Sequence, residues 1–280
     1  MKHRTRITLL VTLILCLMTT ALISAQDEDP VPDFITLDDG EVFFGELDVN
    51  NILHAQLFTF GASEGDTVTI DLKTSDEELL DPFLLVFGPS GQLVSADDDS
   101  GGAPNASINN FDIPEDGNYY VVATSYNTIY EIFTLGADLV AATQESELVV
   151  IFELSVEGNT NPNSDHQFTV VEGGDTVTFE ISEEITVGYM VFAAEEGDMV
   201  NLLAASDDVD TLLYLFDTNG HLVMVNDDVG GEADTTNSRI TDYEVPTSGV
   251  YLVFVTVVGY DSTLLDDPMF DPGEIEFTIE

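Results

Sequence analysis

Two short acidic loops contain the residues whose types and spacing point most clearly to chemistry. The first reads DDDSGG from Asp97 to Gly102, and the second reads NDDVGG from Asn226 to Gly231. An asparagine follows each loop. Protein-bound Ca²⁺ takes six to eight oxygen ligands, mostly carboxylates and carbonyls, and glycine lets a loop fold round the ion. The sequence therefore predicts two calcium sites, with the ligands Asp97, Asp98, Asp99, Asn105, Asn226, Asp227, Asp228 and Asn237.

The same loops can also be interpreted as metal-free turns, because Asp and Asn side chains routinely bond the backbone of the turn they occupy. They are not EF-hands, since Gly101 and Gly230 stand at the third ligand position and Ile108 stands where a bidentate glutamate is needed. Both interpretations stay open. Asp81 and Asp210 recur just before predicted central strands, and we expect each to fix the entry of its strand by hydrogen bonding.

The histidines do not indicate an active site. His54, His166 and His221 lie in no recognisable nucleophile, zinc or phosphate motif. A hydrolase with paired carboxylates remains an alternative. However, 54 acidic residues make chance pairs unavoidable, so a pair has no diagnostic value.

An internal repeat defines the elements that must position the loops. Three stretches recur in the same order: EGDTVTIDL (64–72) as EGDMVNLLA (196–204), DPFLLVFGPSGQLVSADDDSGG (81–102) as DTLLYLFDTNGHLVMVNDDVGG (210–231), and NASINNFDIPEDGNYYVVAT (105–124) as NSRITDYEVPTSGVYLVFVT (237–256). The closing stretch YEIFTL from Tyr130 matches EIEFTI from Glu274, one residue out of register.

Within each copy the apolar period is two, as in a half-buried strand. Val68, Ile70 and Leu72 alternate with polar residues, whereas the continuous apolar run at 119–123 indicates a strand covered on both faces. Turn signals such as Pro-Ser-Gly and Thr-Asn-Gly separate the runs. The pattern predicts an all-β fold of two tandem antiparallel β-sandwich, jelly-roll-like domains.

We expect five segments along the chain. They are a signal peptide at 1–25, an acidic leader at 26–33, a β-sandwich at 34–140, a linker at 141–165 that could contribute one extra strand, and a second β-sandwich at 166–280. The signal peptide is predicted from a basic start, an apolar run over 7–23 and the small residues Ser24 and Ala25. A secreted or periplasmic location follows, with no stable membrane anchor after cleavage.

The charge balance excludes some partners. Only Lys73 and Arg239 are basic after residue 25, and the formal net charge of the chain is −49. Such a surface repels nucleic acid and anionic lipid. The single cysteine, Cys16, lies within the predicted signal peptide, so no disulfide is expected in the mature protein.

The repeated pattern resembles the bacterial pre-peptidase C-terminal domain family of small jelly-roll modules. In this pattern a G-D turn is followed by D-x-x-L-x-L, G-x-L, D-D, N-x-x-I and G-x-Y-x-V, carried here from Asp81 to Val121 and from Asp210 to Val253. The resemblance implies an accessory module that aids secretion, or binds calcium or substrate, although no peptidase domain accompanies it here. The main hypothesis is a non-enzymatic exported protein that binds an extracellular protein or polysaccharide. The alternatives are the secreted hydrolase and a structural protein of an envelope or matrix.

Overall fold

The computed structural model describes residues 32, 34–129, 139–140, 148–160, 167–228, 236–258 and 272–280. These residues form two antiparallel β-sandwiches in tandem, which confirms the predicted fold class. The predicted signal peptide and nearly all of the acidic leader lie outside the described residues.

The first sandwich is built from the N-terminal half of the chain. Its strands are β1 (Ile35–Thr36), β2 (Val42–Asp48), β3 (Gln56–Ala62), β4 (Thr67–Thr74), β5 (Pro82–Phe87), β6 (Leu93–Asp97), β7 (Ala106–Asp112), β8 (Gly117–Ser125) and β10 (Val149–Glu157). One of its sheets has the order β1-β3-β8-β5-β6, and the other has the order β2-β10-β4-β7.

The second sandwich repeats this plan. Its strands are β9 (Leu139–Val140), β11 (Thr169–Val170), β12 (Thr176–Ile181), β13 (Gly188–Ala194), β14 (Met199–Ala205), β15 (Thr211–Phe216), β16 (Leu222–Asn226), β17 (Ser238–Glu244), β18 (Gly249–Val257) and β19 (Gly273–Ile279). The sheet orders are β11-β13-β18-β15-β16-β9 and β12-β19-β14-β17.

Each sandwich has its own apolar core, formed by the inward residues of both sheets. In β4 the side chains of Val68, Ile70 and Leu72 are fully buried while their neighbours face outward, as the period of two predicts. Tyrosines anchor equivalent corners of the two cores. Tyr119 donates its hydroxyl to the carbonyl of Glu115 at 2.9 Å, and Tyr251 donates to Thr247 at 2.8 Å.

Strand β10 bears on two sequence-based expectations. It is the one extra strand that the linker was expected to contribute, and it lies between β2 and β4, so the first sandwich extends to Glu157. The strand β19 holds the same place between β12 and β14, which makes β10 its structural counterpart, whereas the stretch YEIFTL that the sequence matched to β19 lies outside the described residues. The physical reason is burial, because every second residue of β10 enters the core.

The two sandwiches share a third apolar core, formed where their larger sheets face each other. All seven residues of β3 are buried: Phe58 and Phe60 enter the first core, while Leu57 packs toward the second sandwich. Across the interface the rings of Tyr120 and Tyr189 lie 4.7 Å apart, centroid to centroid. The continuous apolar runs in the sequence are therefore strands with both faces buried, one against the core of their own sandwich and the other against the neighbouring sandwich.

Backbone hydrogen bonds reinforce this contact at two equivalent turns. The N–H of Val187 donates to the carbonyl of Gly91, in the β5–β6 turn, at 2.8 Å. In the reciprocal contact, the N–H of Leu57 donates to the carbonyl of Gly220, in the β15–β16 turn, also at 2.8 Å. The same surface is thus used by both copies, as in a two-fold symmetric interface.

Candidate functional site

The β6–β7 loop of the first sandwich is closed by its own backbone. The N–H of Gly101 donates to the carbonyl of Asn105 at 2.9 Å, and the N–H of Gly102 donates to Asp99 at 3.1 Å. A Cβ at Gly101 would come within 2.8 Å of the Asn105 carbonyl oxygen, and Gly102 has a φ of +94°. The glycine pair is therefore required by the turn itself, whether or not an ion is bound.

Asp97 and its counterpart Asn226 hold the next strand in place. One carboxylate oxygen of Asp97 accepts the N–H of Ser107 at 2.7 Å and that of Ser100 at 3.0 Å. The side-chain oxygen of Asn226 accepts the N–H of Arg239 at 2.5 Å. An amide oxygen performs the task of a carboxylate here, so the position needs a hydrogen-bond acceptor and not a charge.

Asn105 and Asn237 have a matching role. The side-chain oxygen of Asn105 accepts the N–H of Thr74 at 3.0 Å, and that of Asn237 accepts the N–H of Ser206 at 2.9 Å. Each asparagine ties the end of the acidic loop to the end of the strand beside it. Of the eight predicted calcium ligands, four thus have side-chain oxygens that already accept backbone hydrogen bonds.

The remaining acidic residues of the loops act on Asp81 and Asp210, the aspartates that recur at the same place in both copies. Burial first, and then the charges of Asp99 and Asp98, raise the pKa of Asp81 above its usual value. In the second sandwich, burial and the charges of Asp228 and Asp227 raise the pKa of Asp210. Each loop therefore gathers three carboxylates whose mutual repulsion a cation would relieve.

The arrangement stops short of a formed metal centre. Among the described residues, no three histidine, cysteine or acidic side chains approach closely enough to hold an ion. Gly230 and Gly231, which complete the second loop, lie outside the described ranges. Asp81 and Asp210 fix the loop entry through their backbone carbonyls, which accept the N–H groups of Tyr126 at 2.9 Å and Val258 at 2.8 Å.

A model of the bacterial pre-peptidase C-terminal domain matches residues 54–125, which span β3 to β8 and include the first acidic loop. These residues belong to that family. The second module has the same sheet order, apart from the added β9, and the equivalent loop.

Solved structures give distant likenesses. The pre-peptidase C-terminal domain of a collagenase from Bacillus anthracis is 12% identical, with 46% of this chain and 100% of that chain covered and a TM-score of 0.31. A putative secreted protein from Eubacterium rectale is 10% identical, with 84% and 72% covered and a TM-score of 0.20. No curated protein matched the chain. Within the described ranges, no helix has the length and hydropathy that a membrane span requires.

The first pre-peptidase C-terminal module also contains a polar cluster that sequence reasoning missed. The Nε2 atom of His54 lies 2.6 Å from the Ser125 hydroxyl and 3.1 Å from that of Thr128, while its Nδ1 contacts the Asn51 carbonyl. Ser125 and Thr128 are each 1% exposed, which leaves no access for a substrate at the serine. The cluster fixes the turn after β8. His221 is exposed and forms a backbone β-bridge with Gln56 of the first module, and His166 lies outside the described residues.

Asp81 and Asp66 have pKa values shifted in opposite directions, so replacing each by asparagine should change the thermal midpoint in opposite directions. The raised pKa of Asp81 means that its ionisation costs folding stability as pH rises through the folded-state pKa. Without added calcium, Asp81→Asn should therefore raise the thermal midpoint at pH 7, by an amount that vanishes below about pH 4.

Asp66 serves as the control for this prediction. Hydrogen bonds from the Ser63 N–H and the Thr160 hydroxyl lower its pKa, so its stabilisation is present at neutral pH and is lost as pH falls through the folded-state value. Asp66→Asn should lower the midpoint at pH 7. Melting curves between pH 3 and 8 check both signs, and a decrease for both variants at pH 7 would contradict the assignment of Asp81.

Proposed function

We propose that the protein is an exported, non-enzymatic accessory protein that binds an extracellular protein or polysaccharide through the outer surface of its fused modules. The observation that carries this proposal is the outer face of the sheet β2-β10-β4-β7. On it Phe44 is 63% exposed, Ile151 47% and Val42 45%, in a chain whose surface is otherwise strongly acidic. Exposed apolar groups of this size on one face are typical of binding surfaces.

The shared core between the modules supports the proposal, because it makes the two sandwiches one body. The larger sheets are buried against each other, so the four-stranded sheets form the outer faces. Binding energy at an outer sheet is then not lost in ordering one module against the other.

A direct test compares capture with turnover. The mature chain, immobilised, is exposed to culture supernatant and to a panel of extracellular polysaccharides and proteins, and both retention and product release are measured. We expect saturable retention with no new product. Product release that is lost when one pair of acidic residues is neutralised would favour the carboxylate hydrolase instead.

We propose further that calcium stabilises the modules at the acidic loops. Asp81, Asp98 and Asp99 would supply carboxylates in the first module, and Asp210, Asp227 and Asp228 in the second. The charge crowding at Asp81 and Asp210 supports this proposal, since a bound cation would relieve it. Asp97, Asn105, Asn226 and Asn237 would contribute by holding the loops in shape.

Calcium should raise the thermal midpoint more than sodium chloride does at equal ionic strength. A site with a dissociation constant of about 0.1–1 mM, as in extracellular calcium modules, gains about 2.7 kcal/mol at a hundredfold excess of ligand. This corresponds to several degrees. Asp98→Asn with Asp99→Asn should remove the part of the calcium-specific midpoint shift that comes from the first module. Asp227→Asn with Asp228→Asn should remove the part that comes from the second.

The matched control removes the same charge elsewhere. Glu183 and Glu184 occupy an exposed turn of the second module. Glu183→Gln with Glu184→Gln should keep the whole calcium-specific shift. Equal losses in the control and the loop variants would reduce the effect to general charge screening.

A further inference from the structure

Strand β2 is an edge strand of the outer sheet in the part of the first module that the structure describes. Its only partner among the described residues is β10. The N–H of Val49 donates to the carbonyl of Leu148, so Asp48 and Val149 form a non-hydrogen-bonded pair of the ladder. By alternation, Val42, Phe44 and Glu46 direct their backbone N–H and carbonyl groups away from β10, toward the open side.

The side chains of the same residues lie on the outer face. Phe44 is the most exposed large apolar residue described, and Ile151 on β10 is its diagonal neighbour, because Ile151 pairs with Glu46. Proteins usually blunt an edge strand with charges, prolines or bulges, since an apolar edge invites pairing with another strand. The combination of an open backbone edge and an apolar face is the geometry used for β-strand addition.

The second module supplies an internal comparison. Its edge strand β12 pairs with β19 as β2 pairs with β10, and this pairing places Thr178 where the first module has Phe44. By the same alignment Thr176 replaces Val42, and Glu274 replaces Ile151. The fold forms with polar residues at all three positions, so Val42, Phe44 and Ile151 are not needed for folding.

We propose that the β2 edge captures an extended polypeptide segment by adding it as a further strand of the sheet, with apolar and basic side chains alternating along the face that it shares with Phe44 and Glu46. This inference rests on the proposed binding function and names its site and partner class. The segment would place an apolar side chain beside Phe44 and a lysine or arginine beside Glu46, two residues along. Its backbone would pair with the free groups of Val42, Phe44 and Glu46.

Charge selects this occupant over a second copy of the chain. The apolar residues alternate with acidic ones, since Glu153 lies opposite Phe44 and Glu46 opposite Ile151. Lys73, the basic residue of β4 on this face, is bonded to Asp71 at 3.2 Å. A second copy would bring the same acidic surface, with a formal net charge of −49 in the full sequence, whereas a basic segment gains from it. A polysaccharide would leave the row of backbone donors and acceptors without a matching partner.

The test uses the mature chain and a synthetic eight-residue peptide of two Val-Thr-Lys-Thr repeats, capped at both ends and labelled for fluorescence anisotropy. In an extended strand this peptide presents valine and lysine alternately on one face. Phe44→Thr with Ile151→Glu installs the residues of the second module. We expect this variant to bind the peptide about tenfold more weakly or worse, in line with the loss of a buried aromatic anchor. Met199→Thr, which changes a residue 52% exposed on the second module, should leave the affinity unchanged.

A second peptide isolates the backbone contribution. Replacing two valines by proline keeps the charge but removes the N–H groups needed for strand pairing. Binding of this peptide should fall to the level of the double variant. Equal affinity of both peptides, or of the wild type and the double variant, would overturn the inference in favour of charge attraction alone. Concentration-dependent dimerisation lost in the double variant would overturn it in favour of a second copy.

The inference and the proposed function can fail separately. If a supernatant protein or polysaccharide is retained equally by the wild type and the double variant, the chain is a binding protein but the β2 edge is not its site. If nothing is retained and the peptide does not bind, both proposals fail.

Discussion

A fragment of residues 34–140 should not fold, whereas a fragment of residues 34–160 should give a cooperative β structure. The shorter fragment lacks β10, which pairs with β2 on one side and β4 on the other. Its inward residues Val150, Phe152, Leu154 and Val156 are each at most 3% exposed. Burying each stabilises by roughly 1.5–3 kcal/mol, so their loss removes about as much as the whole stability of a domain.

Far-ultraviolet circular dichroism and urea unfolding check this prediction. Both fragments expose the same face toward the missing second module, so the comparison isolates β10. A synthetic peptide of residues 148–160 should restore β structure to the shorter fragment. Identical unfolding curves for the two fragments would show that β10 is dispensable and that the boundary at residue 140, expected from the sequence, is correct.

Gly91→Ala should destabilise the full chain by about 2–4 kcal/mol more than Gly65→Ala does. Both glycines have a φ near +90°, so alanine at either position destabilises the fold by roughly 1–2 kcal/mol, because an L-residue disfavours the left-handed backbone conformation. Only at Gly91 would the new Cβ meet another group, the Val187 carbonyl oxygen at 2.1 Å. Relief of that clash separates the modules and breaks the hydrogen bonds that Thr186 and Val187 donate to Gly91, worth about 1 kcal/mol each.

The second copy provides an independent pair of variants. At Gly220 a Cβ would lie 2.7 Å from the Leu57 carbonyl oxygen, while at Gly197 it would meet no atom within 4 Å. Gly220→Ala should therefore lower the free energy of unfolding more than Gly197→Ala does. This difference should be smaller than the one between Gly91→Ala and Gly65→Ala, because the new Cβ would lie farther from the facing carbonyl oxygen. Urea midpoints of the four full-length variants measure the differences. Equal costs within each pair would mean that the interface contributes little to stability.

The sequence predicted the fold class because turn residues and a period of two are local signals. It placed the acidic loops correctly between strands for the same reason. One clue to their structural role was already visible: Asn226 stands where the first copy has Asp97, so a charge cannot be essential there. The hydrogen bonds that show this role join residues from different strands, and no local pattern reports them.

Two features required the tertiary structure. The sequence allowed for a strand at β10 but did not indicate that it closes the first sandwich as β19 closes the second, because YEIFTL resembles EIEFTI more closely than β10 does and only the pairing of β10 with β2 and β4 shows its place. The His54 cluster joins side chains that are 71 residues apart in the chain, so no motif could reveal it. The exposure of Phe44 was equally hidden, since alternate residues of an edge strand differ only in the face on which they lie.

The path of the chain through β9 and β10 bears on the order in which the two modules can fold. After β8 the chain adds β9 to the second sandwich, then returns to insert β10 into the first. The N–H of Leu148 bonds the Asp48 carboxylate across 100 residues. Such long-range closure is slow. A chain that emerges N-terminus first leaves β2 and β4 without their common neighbour until Glu157 has emerged, so the first module cannot close before that point.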